Sequence, residues 1–217
     1  HIAGKMTKTN TIGYIASFPI PEVIRGINAM TLAAQKVNPD IKTKIVWVFT
    51  WYDPGKESEA AQALIDQGAD VIMQHTDSTG PVQVAEKAGV WSFGQASDMQ
   101  RFAPKSILTS IIDDWAPYYV ERSKAAKNGT WKQQDTWHGL KEGMVAMAPY
   151  NPAMGGDLIK EAYQLQNDLA SGKVHSFTGP IYDQKGNLLV AEGAVADDGM
   201  LAGMSVYVKG VEGDIPQ

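Results

Sequence analysis

The 217-residue chain contains no cysteine, which excludes disulfide bonds, thiolate metal sites and cysteine nucleophiles. It has no apolar run approaching the roughly 18–20 residues of a membrane-spanning helix. Basic residues are outnumbered, with 19 Lys and Arg against 24 Asp and Glu, for a net charge of −5. An acidic balance argues against a nucleic-acid partner, because such proteins bind by neutralising phosphates.

Signatures of enzymes and metal sites are also missing. There is no G-x-G-x-x-G fingerprint, P-loop or G-x-S-x-G elbow, and the glycine-containing stretch 78–81 lacks the lysine of a phosphate cradle. His75 and Asp77 have a spacing that can begin a metal site, but a zinc site needs three or four ligands and no third is near in sequence. The sequence therefore predicts no catalytic residue, no metal and no cofactor.

A strand–loop–helix unit repeats four times between Ile12 and Ser97. The predicted strands are Thr11–Ser17, Lys44–Thr50, Ala69–Gln74 and Val90–Gly94. Continuous apolar strands that alternate with amphipathic helices indicate an α/β fold with a parallel sheet covered on both faces. Right-handed crossovers place the four strand-end loops at one edge of that sheet.

The later part of the chain has a different pattern. Helices are predicted at Asp113–Lys127 and Ala153–Ser171, and a hairpin is predicted within Phe177–Val190 around the turn residues 183–187. The first residues lack an initiator Met and resemble the middle of a helix, so we expect the chain to be the later part of a longer precursor.

Two large aromatic residues, Trp51 and Tyr52, follow the second predicted strand. Open α/β sheets bind ligands at the carboxyl ends of their strands. An aromatic face there offers a flat ligand apolar area with a defined orientation. The alternative is that both rings only cover a helix end. Asp53 and Pro54 after them are typical of the start of a helix.

Polar side chains follow the other strands at the same edge. His75 and Asp77 suit recognition of a base edge, because a carboxylate accepts from N–H groups and a neutral imidazole both donates and accepts. Local hydrogen bonds within the loop are the alternative. Ser97 and Asp98 follow the fourth strand, where Asp98 can equally cap a turn. Asp113 opens the predicted helix, where the helix dipole alone favours a carboxylate.

Several segments together resemble the basic membrane protein family of ABC-transporter solute-binding lipoproteins, which are purine nucleoside receptors of the type I periplasmic-binding-protein fold. The similar segments are Met6–Tyr14, Pro21–Ala29, Trp51–Glu57, Gln67–Val71, Leu108–Ser110, Gly139–Gly143 and Ala148–Pro149. They cover nearly the whole chain.

The resemblance implies two α/β lobes joined by crossing segments, with the ligand between them. Residues 8–109 and about 139–217 would form the second lobe. Residues 110–138 would be a crossing segment and a helix of the first lobe, which is otherwise largely absent from this chain. The expected partners are a small-molecule ligand, which is a purine base or a nucleoside, and the subunits of an ABC permease. A lipid anchor on the missing N-terminus would hold a periplasmic or cell-surface lipoprotein at the membrane.

The resemblance also implies roles for particular residues. Trp51, or Tyr52 beside it, would stack on the purine. Ala96 stands where the family has the first aspartate of a Gly-Val-Asp-Ser-Asp stretch, which holds the ribose hydroxyls. Asp113 or Asp114 stands where the family has a lysine. Because both ribose-directed charges are missing, we expect a free purine base, most plausibly adenine, as the ligand.

Three other functions remain open from the sequence. The chain could be a receptor for purine nucleosides, or an α/β enzyme acting on nucleosides, for which His75 and Asp77 are the candidate reacting groups. It could also be the effector domain of a transcription regulator of the same fold, although no helix-turn-helix or basic segment is present. A solute receptor without catalytic activity is the function that the sequence favours.

Overall fold

The computed structural model describes residues 1–216 and is built around a seven-stranded sheet of order β6-β5-β4-β3-β1-β2-β9. Its strands are β1 Thr11–Ala16, β2 Lys42–Trp47, β3 Val71–Gln74, β4 Trp91–Gly94, β5 Ile107–Asp113, β6 Val145–Met147 and β9 Val211–Glu212. Neighbouring strands are parallel except for the antiparallel pair β5–β6. A separate hairpin pairs β7 Ile181–Tyr182 with β8 Leu188–Val190.

Helices cover both faces of the sheet. They are α1 Ile2–Met6, α2 Pro21–Val37, α3 Pro54–Asp66, α4 Gly80–Ala88, α5 Ala116–Lys127, α6 Gly156–Ala170 and α7 Asp198–Ala202. One face packs against α1, α2 and α6, and the other packs against α3 and α4. Among residues 1–216, no helix combines the length and the hydropathy that crossing a bilayer requires.

Strand β1 lies at the centre of the fold because its sequence suits burial on both faces. All of its residues after Thr11 are buried. Ile12 packs towards the α2 side and Ile15 towards α3 and α4. Between them Gly13 lets α3 approach closely, since a Cβ at this position would lie 2.9 Å from the Cβ of Leu64. The α/β class and the parallel sheet predicted from the sequence are confirmed.

The second strand differs from its prediction at both ends, because it starts at Lys42 and stops at Trp47 instead of Thr50. Val48 still donates its N–H to the carbonyl of Ala16 at 2.9 Å. Phe49 then adopts a φ of 52°, a left-handed conformation that ends the extended backbone. The loop that presents the two aromatic residues therefore begins earlier than the apolar pattern indicates.

The predicted helix Asp113–Lys127 is wrong at its start. Asp113 is the last residue of β5 and pairs with Val145 of β6, so the helix begins only at Ala116. Helix α5 has no buried residue. The prediction that residues 110–138 belong to another lobe remains a prediction.

The later elements follow their patterns more closely. The hairpin predicted within Phe177–Val190 is formed by β7 and β8. The predicted helix Ala153–Ser171 is α6, which is preceded by a separate 3₁₀ turn at Pro152–Met154. Gly155, with a φ of 78°, separates the two.

Asn28 connects α2 to the C-terminal part of the chain. It is fully buried, and its amide donates to the carbonyl of Val206 at 2.8 Å and contacts the sulfur of Met204 at 3.1 Å. Its side-chain oxygen accepts from the N–H of Val208 at 3.1 Å. These bonds position the segment that precedes β9, the last strand at that end of the sheet.

Asn28→Ala is expected to lower the free energy of unfolding by about 1–3 kcal/mol, because the N–H of Val208 would be buried without a partner and the partly buried carbonyl of Val206 would lose its donor. Urea unfolding measures the loss. The exposed Asn167→Ala on α6 is the matched control, with an expected change within about 0.5 kcal/mol. Equal stabilities of the two variants would contradict this account.

Candidate ligand-binding site

The loops that follow β1, β2 and β3 meet at one edge of the sheet around Trp51. The Trp51 ring lies 5.2 Å from the ring of Phe18 and 6.0 Å, edge to face, from that of His75, measured between centroids. The Trp51 side chain remains 41% exposed. A large aromatic surface is therefore supported from below and open to a ligand.

Glu57, in the first turn of α3, joins two of these loops. Its side chain is completely buried. One carboxylate oxygen accepts from the N–H of Asp53 at 2.8 Å, and the other accepts from the N–H and the hydroxyl of Ser78 at 3.1 and 2.6 Å. Asp53 caps the same helix by accepting from the N–H of Lys56, which confirms its predicted role. The ends of β2 and β3 are thus bound to the start of one helix.

His75 lies beside Trp51, and its side chain is only 17% exposed. Burial lowers its pKa below the usual value, so the ring is neutral at pH 7. Glu22, Asp77 and Asp113 act in the opposite direction, while the charge of Arg25 adds to the lowering. Nε2 of His75 lies 3.4 Å from a carboxylate oxygen of Glu22. Ionisable groups from α2, β5 and the loop after β3 therefore converge on one imidazole.

The carboxyl groups of Asp77 and Asp113 both have raised pKa values. Partial desolvation raises the pKa of Asp77, and the nearby Glu57 adds to the effect. Partial desolvation is also the main cause for Asp113, with a further rise from Glu22 and Asp77. The Asp77 N–H donates to the carbonyl of Trp51 at 2.9 Å, so the backbone at Asp77 is linked to the backbone of the aromatic residue.

Ala96 and Asp113 are neighbours at the end of the sheet. The Asp113 N–H donates to the Ala96 carbonyl at 3.0 Å. Ala96 has a φ of 59°, a left-handed conformation that is unfavourable for alanine and more easily adopted by Gly, Asn or Asp. Ala96, which the resemblance places at the family's aspartate, thus lies beside Asp113, one of the two residues (Asp113 or Asp114) that it places at the family's lysine.

Of the residues predicted for the site, Trp51, His75, Asp77 and Asp113 lie together. Tyr52 is 64% exposed, and its N–H bonds back to the hydroxyl of Thr50. Ser97 is exposed and makes a turn with Gln95 through its N–H. Asp98 caps the 3₁₀ turn Gln100–Phe102 by accepting from the N–H of Gln100 at 2.9 Å. These bonds are local, and the placement of Tyr52, Ser97 and Asp98 in the binding site stays a prediction.

Three residues near the site are not predicted from the sequence: Phe18, Glu22 and Arg25. Glu22 and Arg25 lie on one turn of α2. Arg25 donates to the carbonyl of Leu201 at 2.9 Å and stacks on the Trp137 ring at 4.6 Å. Their proximity to His75 depends on how α2 packs on the sheet. The N-terminal position of Glu22 in a helix that follows β1 was the one available hint.

The arrangement offers an aromatic face beside a set of polar acceptors, which suits the binding of a flat ligand with N–H donors. Among residues 1–216, no group of three or more His, Asp or Glu side chains is arranged to hold a metal ion.

The sheet order and this ligand edge define part of a type I periplasmic-binding-protein fold. A solute-binding protein from Conexibacter woesei has a similar structure, with a TM-score of 0.64 and 22% identity over 80% of this chain and 59% of that one.

The chain belongs to the Bmp family, described as ABC transporter substrate-binding protein PnrA-like, whose sequence profile matches residues 1–185. It is 52% identical to a purine-binding protein of Brucella abortus, covering 100% of this chain and 61% of that protein. It is 35% identical to a putative ABC transporter glucose-binding protein of Haloferax volcanii, covering 98% of this chain and 52% of that protein. The chain thus spans about half to three-fifths of the length of these relatives. The resemblance to the basic membrane protein family is confirmed.

Glu57→Gln is expected to lower the free energy of unfolding by about 1–3 kcal/mol. The amide NH₂ of the glutamine is a donor, and it would face N–H and hydroxyl groups that now donate to the carboxylate. Protection of the Asp53 and Ser78 amides from hydrogen exchange should fall with it. Glu59→Gln, an exposed change on the same helix, is the control and should leave both unchanged. Retained protection of both amides in Glu57→Gln would refute the linking role of this carboxylate.

Proposed function

We propose that this chain is the ligand-binding part of an ABC importer receptor that takes up a purine base, adenine in particular. The observation that carries the proposal is the open Trp51 ring beside His75 and Asp77 at the carboxyl edge of the sheet. A purine offers a flat face for the indole and N–H groups for the acceptors. The name of the Brucella relative, a purine-binding protein, supports the same ligand class.

The choice of a free base over a nucleoside depends on charge at the end of β4 and β5. In the family resemblance, a carboxylate and a lysine face the ribose. Here Ala96 offers no side-chain acceptor, and Asp113 or Asp114 brings a negative charge where the cation is expected. The backbone hydrogen bond between Ala96 and Asp113 means that both changes affect the same region of the site.

A sugar is the second candidate ligand, because the Haloferax relative is named as a putative glucose-binding protein. Sugars also use aromatic faces and carboxylate acceptors. The purine is favoured by the higher identity to the Brucella protein and by the imidazole beside the tryptophan. Direct titration with adenine, adenosine and glucose separates the three candidates.

The wider role follows from membership of the family. We propose that the whole protein acts outside the cytoplasmic membrane, held there by a lipid anchor, and passes its ligand to the permease subunits. A second lobe would close over the Trp51 edge in a hinge motion. Helix α5 has no buried residue, which supports the expectation that residues 110–138 pack against that other lobe. Binding followed by release needs no catalytic group.

Trp51→Ala is expected to weaken adenine binding by about 1–3 kcal/mol, the range measured for loss of one base–aromatic stack. Trp51→Phe should recover most of the affinity. Calorimetry on the intact protein measures both, and Trp131→Ala serves as the control because Trp131 pairs with Arg122 and is not among the rings packed against Trp51. An unchanged dissociation constant for Trp51→Ala would remove this ring from the site.

The double variant Ala96→Asp with Asp113→Lys is expected to bind adenosine at least about tenfold more tightly than the unsubstituted protein, equivalent to roughly 1.4 kcal/mol. The aspartate would accept from ribose hydroxyls and the lysine would balance its charge. Ala96→Asp alone should gain less, since its carboxylate would lie beside Asp113. Tight adenosine binding without adenine binding in the unsubstituted protein would overturn the preference for a base.

A further inference from the structure

We infer that Glu22 is a positioning residue of the ligand site, which keeps the proton of His75 on Nε2 so that Nδ1 faces the ligand as an acceptor. With Asp77 and Asp113 this gives an acceptor edge that selects an aminopurine over an oxopurine. The selectivity rests on the proposed function, whereas the orienting role of Glu22 is a property of the ligand-free protein.

The first step concerns the proton on His75. Its Nε2 lies 3.4 Å from the Glu22 carboxylate, longer than a good hydrogen bond but well within electrostatic range. A lone pair on Nε2 would face a negative charge, so the tautomer with hydrogen on Nε2 has the lower energy. Burial keeps the ring neutral at pH 7, so it has only this one proton. Nδ1 is therefore left as a lone-pair acceptor.

The second step concerns what surrounds Nδ1. No hydrogen bond from the described residues satisfies this atom, and it is not among their buried unpartnered atoms, so it is open to a ligand. Among the described residues, Glu22 is the one carboxylate within 4 Å of a ring nitrogen of His75, so it outweighs the more distant Asp77 and Asp113 in setting the tautomer. The charge of Arg25 also reaches His75, but its guanidinium group is held by Leu201 and Trp137.

The third step is the match to ligand chemistry. Adenine presents an exocyclic amine to such an edge, and both N–H groups of this amine are donors. Hypoxanthine has a carbonyl oxygen in place of the amine. This oxygen would face the carboxylates and the Nδ1 lone pair of His75, and no proton would be available for a hydrogen bond between them. Leaving acceptors opposed in this way is costly in a desolvated site. Adenine is therefore expected to bind at least about tenfold more tightly than hypoxanthine.

The test compares Glu22→Ala and Glu22→Gln with the unsubstituted protein. Nitrogen-15 NMR of the ligand-free protein should show His75 with its proton on Nε2, a mixture of tautomers in Glu22→Ala, and recovery in Glu22→Gln, whose amide oxygen can also face Nε2–H. The pKa of His75 should fall in Glu22→Gln, because the carboxylate that stabilises the imidazolium is gone. Glu59→Ala, on the exposed side of α3, is the control.

Calorimetry on the same variants completes the design. Glu22→Ala should lose about tenfold in adenine affinity and most of the discrimination against hypoxanthine, and Glu22→Gln should restore both. A proton on Nδ1 in the unsubstituted protein, or an unchanged tautomer in Glu22→Ala, overturns the role of Glu22. Equal binding of adenine and hypoxanthine overturns the selectivity. If no purine binds at all, the proposed function fails, while the tautomer measurement still decides the role of Glu22.

Discussion

The structure of the ligand edge depends on the buried carboxylate of Glu57. It satisfies donors from the loop after β2, through Asp53, and from the loop after β3, through Ser78. A buried charge is stable only when its acceptor sites are filled, so the two loops have little freedom relative to each other. The Asp77 N–H adds a further bond to the Trp51 carbonyl. The aromatic ring and the imidazole beside it therefore have fixed positions although both belong to loops.

The sequence predicted the sheet well where burial determines the residues. A parallel strand covered on both faces reads as a continuous apolar run, as in Thr11–Ala16 and Val71–Gln74. The position of Trp51 at the ligand edge follows from that pattern. The end of β2 could not be predicted from the apolar pattern. The left-handed conformation of Phe49 ends the strand within an apolar run that contains no glycine or proline. Local propensity has no signal for such a turn.

The polar part of the site was harder to predict for a different reason. Asp113 was assigned to a helix because its partner strand, Val145–Met147, comes much later in the chain. Glu22 was missed because its proximity to His75 depends on the packing of α2. Asp98 fits its local alternative, a cap on a short turn. Contacts between distant segments determine which carboxylates act on a ligand, and those contacts leave no periodic pattern in the sequence.

Ala96 has a consequence for how ligand choice can change over time. Its backbone already has the left-handed conformation that suits Gly, Asn and Asp better than alanine. An alanine codon becomes an aspartate or a glycine codon through a single base change. Such a change would therefore relieve backbone strain while altering the polarity of the site. Under the proposed function, a change of ligand made at this position would not carry the stability cost that usually accompanies a new function.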